Sequence, residues 1–254
     1  MKKIVVLFIL GFICASAQAA QFLDDFNRAQ TSFETNSAPS IGSGYMLTQV
    51  SGDRFASIRI LASQLQLQQI TPAGSTLNAG NIVFRQMGVE LKNSEAGDSF
   101  TVSGDLKTYN GVAGSLSYGL AFNYQPDGSF YAARLDTGTD VTVLQFIRVN
   151  AAGAVGGFAN IANSAPLAIN SIYNLTIQSS AVGVFTYTLT GANLDGGQLT
   201  GTATETTMNL ANGQAGFYAS AANTNPLYDN LSIKVLPDVQ PGVLRLIGIS
   251  TVAP

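Results

Sequence analysis

The chain has no histidine and no tryptophan, and its one cysteine, Cys14, falls in an apolar leader. Without histidine there is no Ser-His-Asp or Cys-His arrangement, and the commonest zinc ligand is missing. A mature chain without cysteine has no disulfide framework and no thiol chemistry. Charge is scarce too. Charged residues make up 11% of the sequence, against a typical quarter or so, and Gly, Ser, Thr and Asn stand in their place. That is the surface of a secreted β-protein rather than of a cytosolic helical one. The 12 basic residues form no run outside the leader, so the concentrated positive patch that nucleic acid or anionic lipid requires is absent, and no nucleic-acid partner is expected.

The N-terminus reads as a secretory signal peptide over 1–19: Lys2-Lys3, an uncharged apolar run from Ile4 to Ile13, then Ala17-Gln18-Ala19 as a cleavage site. The run is well short of the roughly 20 residues a membrane span needs, so no transmembrane segment is expected in the mature chain. Cys14 suggests a lipoprotein, but Ile13 stands where the small residue before a lipidated cysteine belongs. Losing Lys2 and Lys3 takes the formal net charge from −3 to −5. Export without cysteines behind a short basic signal places the protein outside a bacterial cell or in its envelope.

From Ser99 to Val149 apolar and polar residues alternate through several segments. In FTVSGDLKTY, Phe100, Val102 and Leu106 share one parity, and Thr101, Ser103, Asp105, Lys107 and Tyr109 the other, which describes a half-buried strand with a wet face. SLSYGLAFNY repeats the pattern with Tyr118, Leu120, Phe122 and Tyr124 inward. Turn residues Gln125-Pro126-Asp127-Gly128 and Thr137-Gly138-Thr139 then lead through SFYAARLD to VTVLQFIRV, so this stretch reads as one antiparallel meander needing a second sheet to cover it. Asp136 to Thr139 match the Asp-Thr-Gly-Thr signature of aspartic proteases, but Asp, Thr and Gly are also what a tight hairpin requires, and the hairpin is preferred. Shorter strands are expected over Gln21–Arg28, Tyr45–Val50, Ala56–Ile60 and Asn81–Lys92. YNLTIQ and VFTYTLT form a hairpin, and GQAGFYA and LYDNLSIKVL finish the domain. About a dozen short strands and no helical periodicity give an all-β, two-sheet antiparallel sandwich over 20–236, with 237–254 a tail or linker.

Asp24-Asp25-Phe26-Asn27-Arg28, SFYAARLD followed by VTVLQFIRVN, the YNLTIQSSAVGVFTYTLTG hairpin, and GQAGFYAS with YDNLSIKV together resemble the concanavalin A-like, laminin G-like jelly rolls of secreted bacterial proteins. The resemblance implies two antiparallel sheets of six or seven strands, terminal strands that are neighbours in one sheet, and one concave face. It further implies a role in carbohydrate binding or adhesion, glycoside hydrolysis in some members, and structural calcium in several. Hydrolases similar to this family carry a Glu-x-Asp-x-Glu strand that sets alternate carboxylates on one face. Here the mature glutamates are Glu34, Glu90, Glu95 and Glu205, and no two fall at strand spacing.

Calcium takes carboxylate and carbonyl oxygens from loops. With neighbouring terminal strands, Asp24 or Asp25 could approach Asp229, with Asn27 or Asn225 nearby; the alternative is that Asp25, Asn27 and Asp229 hydrogen-bond the strand ends. For sugar, aromatic faces stack on rings while planar polar groups satisfy hydroxyls. Outward parity offers Asp105, Lys107, Tyr109, Asn123 and Tyr131, with Arg134, Gln145 or Arg148 joining from strand ends; the alternative is an ordinary solvated sheet face. The expectation is a secreted, non-catalytic module whose partner is a glycan or glycoconjugate. The competing readings are a structural surface protein that assembles through strand edges and a divergent hydrolase.

Overall fold

The computed structural model describes residues 20–31, 44–50, 55–70, 80–109, 117–136, 141–220 and 225–236. The signal peptide expected over 1–19, the turn residues Thr137 to Thr139 and the tail from 237 lie outside them. Among the described residues fifteen strands are present: β1 Ala20–Asp24, β2 Tyr45–Gln49, β3 Phe55–Leu61, β4 Gln64–Ile70, β5 Asn81–Leu91, β6 Ser99–Tyr109, β7 Ser117–Tyr124, β8 Phe130–Asp136, β9 Thr142–Val149, β10 Val155–Ala162, β11 Ile172–Ala181, β12 Val184–Gly191, β13 Gln198–Thr204, β14 Gly213–Ser220 and β15 Asn225–Leu236. They form two antiparallel sheets. One has eight strands, in the order β13-β12-β11-β6-β15-β4-β3, with β1 also paired to β15; the other has seven, in the order β10-β9-β8-β7-β14-β5-β2. The first and last strands are neighbours, Asp24 lying opposite Leu231.

The stretch from Ser99 to Val149 is not one meander. β6 pairs with β11 and β15 in the eight-stranded sheet, whereas β7, β8 and β9 pair with one another in the seven-stranded sheet. Alternation records that a strand has two unlike faces but carries no information about which sheet it joins. The Ala192–Asn212 region contributes one strand, β13, and the Gly-rich connection after β9 forms β10.

The inward parity packs a core rich in aromatic rings. Phe122 meets Phe185 at 4.9 Å, Phe217 meets Tyr228 at 4.5 Å and Tyr45 stacks on Phe84 at 4.4 Å. Each such buried ring contributes roughly 1.5–3 kcal/mol through area alone. Gly104 interrupts the Phe100, Val102, Leu106 series because a Cβ there would sit 2.8 Å from Phe217 Cε1.

The seven-stranded sheet is buried on its other face as well. Along β8, Phe130, Tyr131, Ala132 and Ala133 are all fully buried, the continuous apolar run of a strand covered on both sides. Val83, Ala121, Phe130, Ala132, Ile147, Val149 and Tyr218 form a second cluster there, joined by Tyr124. The sheet rolls about this cluster. Asn81 of β5 donates to the Gly153 carbonyl in the β9–β10 turn at 3.3 Å, yet three strands lie between β5 and β9, which in a flat sheet are about 19 Å apart. This outward face is therefore the concave one.

Candidate functional site

Two irregularities in strand pairing open a cavity at the rim of the concave face. Between Gly213 and Ala215, β14 advances two residues while β5 advances from Leu91 to Gln86, so Met87 to Glu90 bulge out of the ladder. Against β7, β14 passes from Gln214 to Gly216 while β7 passes from Tyr124 to Ala121, a one-residue bulge at Asn123. Asn123 has φ +52°, a left-handed conformation that asparagine accepts more readily than most residues. That turn reverses the parity of β7. Tyr118, Leu120 and Phe122 belong to the inter-sheet core, but Tyr124, expected beside them, faces the concave side, stacked on Phe130 at 5.6 Å. Gly213, with φ +97°, closes against the bulge, where a Cβ would lie 2.6 Å from the Tyr124 carbonyl oxygen.

The cavity has a volume of about 710 Å³, and Arg85, Tyr124, Gln125, Asn212 and Gln214 supply its polar lining. Met87 and Pro126 add apolar surface, and Glu90 is its only carboxylate among the described residues. The Arg85 guanidinium lies over the Tyr124 ring, 4.0 Å from its centroid. Gln125 is fixed by donating to the carbonyls of Asn123 at 2.9 Å and Ala211 at 3.1 Å. Asn212 and Asn93 exchange side-chain and backbone hydrogen bonds of 3.1 and 2.9 Å, and Asn123 Nδ2 donates to the Asn212 carbonyl at 2.6 Å. The cavity wall is thus held by amide groups rather than by a disulfide or a helix. Bulges recur beside binding sites because they re-aim side chains.

The residues expected to line one groove are dispersed. Asp105 and Lys107 stand on the outer face of the eight-stranded sheet, opposite the concave side. There Asp105 accepts from Asn174 Nδ2 at 2.8 Å and Asn230 Nδ2 at 2.7 Å. Tyr109 ends β6, and its side chain lies outside the described residues. Asn123 is fully buried as the bulge residue. Tyr131 is fully buried too, its hydroxyl donating to the Met208 carbonyl and accepting from Leu210 N at 2.9 Å. Arg148 points inward and pairs with Glu205 at 2.8 Å. Tyr131 and Arg148 thereby clamp the crossover that carries the chain from β13 to β14. Burial opposes ionisation of Glu205, but hydrogen bonds from Thr207, Arg148 and Met208 together outweigh it and hold the carboxyl below its ordinary range. Arg134 and Gln145 do reach the concave face, where Arg134 Nε donates to Gln145 Oε1 at 2.8 Å and Gln145 Nε2 to Asn160 Oδ1 at 2.7 Å.

The calcium candidates do not fit a calcium cage. Asp24 is buried and accepts from Phe26 N at 2.8 Å, Arg28 Nη2 at 2.6 Å and Tyr45 Oη at 3.0 Å, so a cation and a phenol already hold its oxygens. Asp25 Oδ1 accepts from Asn27 N at 3.1 Å, and Asp229 Oδ1 from Asn230 N at 2.8 Å. Burial, and then the negative charges of Asp105, Asp25 and Asp24, push the Asp229 carboxyl above its usual value. Among the described residues no three carboxylates converge on one point.

Sequence reading missed Arg85, Gln125, Asn212 and Gln214, and placed Tyr124 in the core. The available signal was Asn123 near the end of one strand and Asn212-Gly213 at the start of its neighbour, residue types that tolerate positive φ.

No family model and no curated protein sequence matches the chain. Solved structures do. The carbohydrate binding module CBM66 from Bacillus subtilis superposes with a TM-score of 0.50 at 17% identity, covering 74% of this chain and 94% of that one. The fold is a concanavalin A-like jelly roll. The Lotus tetragonolobus seed lectin matches with a TM-score of 0.53 at 11% identity over 86% of this chain and all of its own. The lectin UEA-II complexed with galactose matches with a TM-score of 0.54 at 12% identity over 86% and 99%. Among the described residues no helix is long and apolar enough to cross a membrane.

Proposed function

We propose that this protein is a secreted, non-catalytic carbohydrate-binding or adhesion module that holds a saccharide in the bulge-built cavity. The observation that carries the reading is the cavity itself: a guanidinium braced on an aromatic ring, the fixed amides of Gln125 and Asn212, and the Gln214 amide converge at the rim of a concave sheet, which suits a ring with many hydroxyls. Its placement in a jelly roll of the kind used by a carbohydrate binding module and by a galactose-complexed lectin supports the same reading. Glycoside hydrolysis ordinarily needs two carboxylates flanking the bond, and among the described residues the cavity offers Glu90 alone, tied to Lys92 at 2.9 Å.

The test is retention on a glycan array and on insoluble polysaccharides. Gln214→Ala and the cavity-filling Met87→Trp are expected to lower retention at least tenfold without changing Tm. A folded sample that no glycan retains would overturn the proposal and favour a structural surface protein.

A further inference from the structure

We propose that the cavity selects an acidic saccharide, one that presents a carboxylate or a sulfate to Arg85; this rests on the saccharide site above and names its ligand class. Among the described residues Arg85 is a cation without an ion-pair partner. The ion pairs among the described residues join Arg28 to Asp24, Lys92 to Glu90 and Arg148 to Glu205, and leave it out. Its Nε faces Met87 Sδ at 3.3 Å and its Nη2 faces Met46 Sδ at 2.9 Å, thioether sulfurs that are weak acceptors. Its Nη1 is buried and has no hydrogen-bond partner. A guanidinium in that state carries a desolvation cost that the Tyr124 ring and two thioether sulfurs offset only in part.

The stacked Tyr124 ring fixes the guanidinium plane, and its Nε–Nη2 edge, which faces weak thioether acceptors, is pre-organised for an oxyanion that accepts two parallel hydrogen bonds from one arginine. A neutral sugar hydroxyl meets only one donor and none of the charge. Glu90 is neutralised by Lys92, which leaves Arg85 as the net charge of the cavity. Gln214 and Asn212 remain for hydroxyls, and Met87 and Pro126 for the apolar face of a ring. The acidic chain as a whole does not forbid this, because charges beyond about 8 Å are screened at physiological salt.

The experiment uses the full mature chain on an array of uronic-acid, sulfated and neutral saccharides. Calorimetry follows on the tightest binder and on its charge-neutralised form, the methyl ester or desulfated sugar. The expected result is at least tenfold tighter binding of the acidic form, weakened by salt, partly kept in Arg85→Lys and lost in Arg85→Gln with an unchanged Tm. The tightest ligand decides between carboxylate and sulfate. Neutral sugars that bind as tightly and respond to Gln214→Ala would overturn this inference and leave the saccharide site standing. An acidic preference that persists in both Arg85 variants would overturn it as well, and an array with no retained sugar would overturn both readings.

Discussion

The two outward faces of the sandwich are built from similar strands and end up opposite in character. On the eight-stranded sheet, Thr200, Thr188, Thr176 and Ser103 lie side by side across β13, β12, β11 and β6, and Thr202, Thr186, Gln178 and Thr101 form the next row. All are exposed or half-buried, an uncharged hydroxyl field facing water. On the seven-stranded sheet the equivalent face carries Val83, Tyr218, Ala121, Phe130 and Ile147, all fully buried. Rolling makes the difference: a sheet whose corners approach each other removes its own concave side chains from water, and the strain of curvature is taken up in bulges. The cavity stands where those bulges occur. The proposed saccharide site thus lies on the curved face, at its rim, and not among the alternating polar residues of the other sheet.

The comparison breaks most visibly at Phe130. Phe130→Ala is expected to cost about 3–5 kcal/mol in denaturant unfolding; a loss near zero would mean the concave cluster is not a second core. Next comes Glu205→Gln, which leaves Arg148 without its anion at a cost of about 2 kcal/mol. The same pair gives acid sensitivity. Because the folded-state pKa of Glu205 is depressed, its contribution is complete above the unfolded carboxylate value and disappears as pH falls through the folded one, so wild type and Glu205→Gln should converge in acid. Wild-type and variant curves that stay parallel down to low pH would contradict the clamp.

Asn123 sharpens the contrast at the bulge. Asn123→Ala should fall about 1 kcal/mol below Asn123→Gly in stability, since glycine tolerates the positive φ and alanine does not; the reverse order would remove the bulge as the cause of the parity switch. On the other face, Asp229→Asn is expected to raise Tm slightly at neutral pH, because its carboxyl is pushed up by burial and neighbouring acids. That gain should vanish below the ordinary carboxylate range, where folded and unfolded states are both protonated. The smallest effect belongs to Thr188→Ala, within about 0.5 kcal/mol of wild type.

Much of the fold was legible because its signals are local. Period-two alternation located β6, β7, β11 and β12, and turn residues separated them. The site was less legible. Asp105, Lys107 and Arg134 were expected to line one groove, yet they stand on opposite sides of the molecule because β6 and β8 entered different sheets. Tyr131 and Arg148 read as surface residues until the crossover from β13 settled on them.

Composition and alternation by themselves determined an all-β sandwich poor in charge and without histidine, since those properties depend on residue type and on the neighbour two positions away. Tertiary structure alone decided which strands share a sheet, which sheet rolls and where Asn123 reverses its strand. Those outcomes follow from pairings between residues up to a hundred or more positions apart, such as Asn93 with Asn212, and no local pattern encodes them.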